Sequence, residues 1–242
     1  GRVYVIEVNP RASRTVPFVS KATGVPLARV AARVLLGEKL DDMDLPDDLP
    51  LLNVAVKEAV FPFNKFPDAD PLLGPEMRST GEVMGFADSF GLAFAKAQIA
   101  ADGSLPLSGN VVVTVHERDK PAATPIIRRL HELGFEIKAT AGTARYLSRR
   151  GVPCETVLKV HEGRPHILDL LLSGEVQLLV NTPLGKDAQH DDYMIRQAAI
   201  SRGIPYTTTL SAASAAADAI IALRSRRLSV YSLQERIAAL TG

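Results

Sequence analysis

From residue 111 onward the chain alternates between two periodicities. Short continuous apolar runs at 111–115, 135–139, 156–160, 176–180 and 205–208 predict strands. Segments of helical spacing at 121–133, 143–150, 166–172, 191–202 and 211–224 predict helices, three of them stopped by Gly134, Gly151 and Gly203. Apolar strands separated by crossover helices belong to a parallel sheet covered on both faces. The expected fold class is therefore α/β: a C-terminal doubly wound parallel five-stranded sheet, with ligands bound beyond the carboxyl ends of its strands. The earlier part reads as α+β. Residues 2–8 are β-rich, with Val3, Val5 and Glu7 on one face; 16–22 form a short helix closed by Gly24; 26–36 form a second, with Pro26 in its first turn and Gly37 as its stop. Strands are expected at 54–61 and 81–87, and a helix at 89–101. Between them, 62–75 carries four of the chain's 16 prolines and reads as an irregular loop. Residues 102–109 break every pattern, which sets a domain boundary there: 1–101 and 102–242.

Composition narrows the class. The chain has 242 residues, 46% of them hydrophobic and 23% charged, which is ordinary for a globular protein and excludes overall disorder. A net charge of +1 argues against broad nucleic-acid or membrane-surface binding. One cysteine, Cys154, cannot form an internal disulfide, which fits the reducing cytoplasm. No apolar run approaches the ~20 residues needed to span a bilayer; the alanine-rich 212–223 segment contains Asp218 and reads as a packed helix. Gly1 rather than Met opens the chain on a strand-like run, so a piece of a longer polypeptide or a processed chain is expected. Residues 1–101 carry 11 Lys and Arg against 13 Asp and Glu, residues 102–242 carry 17 against 14, and the mildly positive second part suits an anionic ligand.

Four constellations carry candidate chemistry. Glu7 and Asn9, two apart on an extended segment, point to one face; a carboxylate and an amide oxygen are hard ligands suited to Mg²⁺ or Mn²⁺ with nucleotide phosphates. Arg11 and Arg14 follow and suit phosphate, although a strand end with surface arginines has the same spacing. Thr140-Ala-Gly-Thr143, between a strand and a helix start, offers two hydroxyls and free helix amides as a phosphate cradle, or a plain N-cap with a turn glycine. The run Lys159-Val-His-Glu-Gly-Arg-Pro-His166 follows the third strand of the sheet, and Asn181-Thr-Pro-Leu-Gly-Lys186 the fourth. Lys120 stands just past the first. Three strand ends thus supply hydroxyls, an amide and cations for a phosphorylated ligand. His161 and His166 lack a clear third metal ligand and read as helix-start or packing residues.

Three long motifs, in order, resemble the large-subunit family of carbamoyl-phosphate synthetases. Residues 6–24 (Ile6-Glu-Val-Asn-Pro-Arg-Ala-Ser-Arg-Thr through Gly24) look like the end of that family's second ATP-grasp module. Pro62-Phe-Asn-Lys-Phe66 and Asp70-Pro-Leu-Leu-Gly-Pro-Glu-Met-Arg-Ser-Thr-Gly-Glu-Val-Met-Gly85 match it further on. Lys159-Val-His-Glu-Gly-Arg-Pro-His-Ile167 matches its C-terminal regulatory domain, which is similar in fold to methylglyoxal synthase. The resemblance covers essentially the whole chain. It implies an ATP-grasp remnant at 1–101 and a methylglyoxal-synthase-like allosteric domain at 102–242.

By that resemblance Glu7 and Asn9 are the divalent-metal ligands (Mg²⁺ or Mn²⁺) of the ATP site that phosphorylates carbamate, and Arg11 and Arg14 are its catalytic arginines facing phosphate and carbamate. Lys120, Thr140, Thr143, Lys159, Asn181 and Thr182 match positions that hold nucleotide effectors such as UMP or IMP. Glu58 and Thr208 match positions near an ornithine effector site. The family's enzyme makes carbamoyl phosphate from bicarbonate, glutamine-derived ammonia and two ATP, for arginine and pyrimidine synthesis. Its implied partners are a glutaminase small subunit, the remainder of the large subunit and further copies of itself. The ATP-grasp elements that precede residue 1 in the family are absent, so this chain alone is expected to lack ATP-dependent activity. Two other readings fit the same residues. One is a non-catalytic regulatory and assembly module. The other is a methylglyoxal-synthase-type lyase, which needs a carboxylate base where this chain reads His161-Glu-Gly-Arg-Pro-His.

Overall fold

The computed structural model describes residues 3–5, 8, 10–48, 53–63, 65, 66, 69, 71, 73, 76–101, 103–182 and 189–241, with the side chains of 189, 190 and 239–241 left aside. Two compact units form: residues 1–54 with 229–242, and residues 55–228. Neither boundary between these units falls at 101/102.

In the first unit, α1 (Thr15–Thr23) ends at Gly24, whose positive φ of 77° lets its N–H return to Ser20 O at 2.9 Å. Helix α2 (Leu27–Leu35) follows, and packs on α1. Residues 3–5 and 8 form no strand, although the alternation of residues 2–8 predicts one. A strand is held by its ladder, and among the described residues nothing pairs with this segment, so Val3, Tyr4, Val5 and Val8 lie exposed.

In the second unit, β1 (Val54–Val60) and β2 (Gly81–Ala87) make a two-stranded sheet, and α3 (Phe90–Ala100) lies against β2. The larger sheet is built from β3 (Asn110–Thr114), β4 (Glu136–Thr140), β5 (Glu155–Val157), β6 (Leu178–Asn181) and β7 (Tyr206–Thr207). The crossovers run through α4 (Lys120–Glu132), α5 (Ala141–Ser148), α6 (Ile167–Ser173) and α7 (Gln189–Ser201), and α8 (Leu210–Ser225) follows β7. The strand order is β5-β4-β3-β6-β7 with every pair parallel, which is the doubly wound arrangement expected from the rhythm of the sequence. A further helix, α9 (Leu233–Thr241), belongs to the first unit.

Period two along β3 divides the core. Val111 and Val113 join a cluster with Ile127, Leu130, Phe135, Leu147 and the alanine face of α8. Val112, between them, faces the opposite side with Ile167, Leu171, Leu179 and Ala199. Helix α3 is apolar on nearly every side and packs on both β2 and α8, as such a helix must. Glycines permit these approaches: a Cβ at Gly85 would lie 2.0 Å from Ala93 O, and one at Gly91 2.6 Å from Asp218 O.

Candidate anion site at the strand ends

Sheet order decides which strand ends become neighbours. Strand β3 is central, flanked by β4 and β6, so the loops after β3, β4 and β5 open on one edge of the sheet's carboxyl end. A cavity of about 300 Å³ lies there, lined by Thr114 at the end of β3, His116, Glu117 and Lys120 after it, Thr140, Gly142 and Thr143 at the start of α5, and Lys159 after β5. Four residues singled out from the sequence (Lys120, Thr140, Thr143 and Lys159) therefore share one cavity.

Each is positioned by local structure. Lys120 is the first residue of α4, its side chain 7% exposed, and its Nζ donates to Glu117 Oε2. Thr140 stands at the N-cap position of α5 in extended conformation, yet its side chain accepts no hydrogen bond from the first-turn amides. Its hydroxyl instead lies 3.4 Å from that of Thr143. The plain N-cap alternative thus does not describe Thr140, and the helix's first N–H groups have no side-chain cap. Gly142 keeps the floor of the cradle low, since a Cβ there would come within 3.2 Å of Lys120 Nζ. Strand β5 ends at Val157, earlier than the apolar run suggests, because Leu158 only bridges to His166 and the chain then turns. Lys159 consequently sits in a loop, where its N–H donates to Glu162 Oε2 at 2.9 Å.

The β6 end is tied to the same place. The parallel register sets Asn181 beside Thr114. Thr182 N–H donates to Thr114 O at 3.1 Å, and Thr182 Oγ1 accepts from His116 N–H at 2.9 Å. Asn181 is fully buried, and neither its amide nitrogen nor its oxygen has a partner among the described residues. Thr182 therefore braces the loop after β3, and Asn181 stands one strand over.

The sequence reading singles out none of Thr114, His116 and Glu117, although Thr114 ends β3 and the other two directly follow its apolar run. The strand-end rule that located Thr140 would have found them. His116 Nδ1 accepts from Arg118 N–H at 3.2 Å, so the neutral ring carries its proton on Nε2. The two histidines of the 159–166 loop have structural partners. His166 is the N-cap of α6 in a capping box with Asp169, and His161 lies 3.3 Å from Asp191 of α7.

Other sequence candidates lie elsewhere. Arg11 and Arg14 are exposed on the segment leading into α1, while Glu7 and Asn9 fall outside the described residues. Glu58 lies on β1 and Thr208 just past β7. Burial pushes the Glu58 carboxyl above its usual range, and a hydrogen bond with Gln98 pulls it partly back. No helix among the described residues is long and apolar enough to cross a membrane.

Five parallel strands joined by crossover helices define a doubly wound α/β domain, and residues 122–208 match the MGS-like domain family. Residues 1–43 match the ATP-binding domain of the carbamoyl-phosphate synthase L chain. The carbamoyl phosphate synthase large chain of Gemmatimonas aurantiaca is 61% identical over 97% of this chain and 22% of its own length. That of Archaeoglobus fulgidus is 52% identical over the same shares, 97% and 22%. A carbamoyl phosphate synthase large chain, C-terminal section, of Methanopyrus kandleri is 53% identical over 96% of this chain and 44% of its own. The chain belongs to the carbamoyl phosphate synthase large-chain family and corresponds to its C-terminal portion. It spans about a fifth of the length of the full large chains and under half of the Methanopyrus section.

Proposed function

We propose that this chain is the effector-binding end of a glutamine-hydrolysing carbamoyl phosphate synthase. The observation that carries the reading is the single cavity shared by Lys120, Thr140, Thr143 and Lys159. Two ammonium groups, paired hydroxyls and uncapped helix amides suit a phosphate monoester. The phosphate of UMP or IMP would sit between Lys120, Lys159 and the start of α5, with its nucleoside directed toward Asn181 and Thr182. Residues 102–242 then form the allosteric domain and residues 1–101 the tail of the carbamate-phosphorylating ATP-grasp module.

In the whole enzyme bicarbonate, ammonia from glutamine and two ATP give carbamoyl phosphate, in the cytoplasm, with a glutaminase small subunit as partner. Arg11 and Arg14 would face phosphate and carbamate there. Glu7 and Asn9 offer a carboxylate and an amide oxygen, a donor pair that fits Mg²⁺ or Mn²⁺, with the remaining ligands coming from phosphate and from elsewhere in the enzyme. Such an ion, when bound, would neutralise phosphate charge. Glu58 and Thr208 would contribute to an ornithine site. Alone, the chain has no ATPase activity in this reading. A methylglyoxal-synthase-type lyase is disfavoured because Glu162, the carboxylate in the relevant loop, is engaged with the backbone N–H of Lys159.

Calorimetric titration with UMP and then IMP tests the proposal. Saturable binding that is lost in Lys159→Ala supports it. Absence of binding by either nucleotide would leave an assembly role for this part of the large chain.

A further inference from the structure

The cradle contains a carboxylate that an anion site would not be expected to keep. Glu117 and Lys120 line the same cavity and are joined across the 3₁₀ turn that opens α4. The two ends of the pair differ. The Lys120 side chain is 7% exposed, while that of Glu117 is 76% exposed and borders open solvent. A buried ammonium needs a counter-charge. The atom that receives it, Nζ, also stands over Gly142, at the uncapped start of α5. Lys159 differs again: among the described residues no carboxylate is paired with its ammonium, since Glu162 accepts from its backbone N–H.

We infer that Glu117 is a built-in competitor of the anion site: its carboxylate holds the ammonium of Lys120, and a phosphorylated ligand must displace it. The inference rests on the cradle reading above and adds a regulation to it. Phosphate oxygens that reach Lys120 Nζ and the Gly142 and Thr143 amides come into the space beside Glu117 Oε2, where two negative charges oppose each other. Binding thus exchanges one carboxylate for one phosphate. The carboxylate lowers affinity for weakly charged ligands and swings the 117–119 turn outward when a ligand binds. Since that turn leads directly into α4, occupancy of the cradle is coupled to the start of this helix.

Binding of inorganic phosphate to the 242-residue chain, measured by calorimetry, tests this with wild type, Glu117→Gln and Lys159→Ala. Glu117→Gln keeps a neutral hydrogen-bond acceptor and removes the charge. Releasing Lys120 from a pair with one exposed partner is expected to tighten phosphate binding about two- to fivefold. That result, with binding lost in Lys159→Ala, supports the inference. Lys159-dependent binding that is unchanged or weakened in Glu117→Gln overturns it alone, because Glu117 would then be orienting Lys120 for the anion rather than competing with it. No Lys159-dependent binding in either wild type or Glu117→Gln overturns the cradle reading, and the inference with it. Far-UV circular dichroism confirms that each variant is folded, and the exposure of Glu117 makes its replacement benign to packing.

Discussion

Gly142→Ala separates stability from binding at the cradle. Gly142 is the second residue of α5 and has helical backbone conformation, so alanine fits the backbone and removes unfolded-state freedom. Within a helix this exchange stabilises by about 1 kcal/mol, and somewhat less in a first turn. Against that, the new Cβ would meet Lys120 Nζ at 3.2 Å. The neighbour is the end of a flexible side chain and can move a few tenths of an ångström, weakening a pair with Glu117 that is worth about 0.2–1 kcal/mol. The net is a gain of about 0 to 1 kcal/mol, which in a domain of this size raises Tm by up to about 4 °C. Binding moves the other way. A phosphate in contact with the first-turn amides has no room for a methyl group at this position, for the reason that phosphate-binding loops carry glycine. Nucleotide affinity should fall at least about tenfold, a loss near 1.4 kcal/mol. Thermal unfolding followed by circular dichroism and calorimetric titration with UMP measure the two quantities on one sample. A variant of equal or higher Tm that binds UMP as well as wild type would show that the phosphate lies away from α5.

Two further outcomes follow from packing and charge. Phe135 is 1% exposed, packs in the cluster with Ile127 and Leu130, and lies 5.5 Å beneath the Arg224 guanidinium, so Phe135→Ala should cost about 3–5 kcal/mol in a denaturant melt. A cost below about 1 kcal/mol would contradict the described core. Glu58 has its carboxyl raised by burial, so the folded state binds its proton more tightly than the unfolded chain does. Its protonation stabilises the fold below the unfolded carboxylate pKa near 4.5, and that contribution is lost as pH rises through the raised value. Glu58→Gln should therefore gain on wild type in Tm between pH 4 and pH 7, and a pH-independent difference would contradict the burial.

The doubly wound sheet was legible because its signals are local and redundant. Apolar runs at β3, β4 and β6 begin and end within about two residues of the observed strands, and glycines stop α4 and α5 where expected. Elements that depend on a partner were not legible. The alternation of residues 2–8 predicts a strand, but a ladder needs a neighbour and the described residues supply none. Helix α9 carries only weak periodicity near the end of the chain, too little to predict a helix. The seat of α3 against α8 depends on close approach at Gly91 and not on any pattern within α3 itself. In the candidate site, the cations and hydroxyls were visible by type and by strand end. What no spacing shows is that Lys120 is already held by Glu117, that Thr140 does not cap its helix, or that β5 stops early enough to place Lys159 in a loop.

¹⁵N–¹H spectra of the labelled chain titrated with UMP locate the ligand residue by residue. Saturable shifts are expected at the amides of 115–120, 141–144 and 159. Shifts centred instead on the apolar cavity lined by Leu168, Leu172 and Met194, or no saturable shifts at all, would contradict a ligand seat at the cradle.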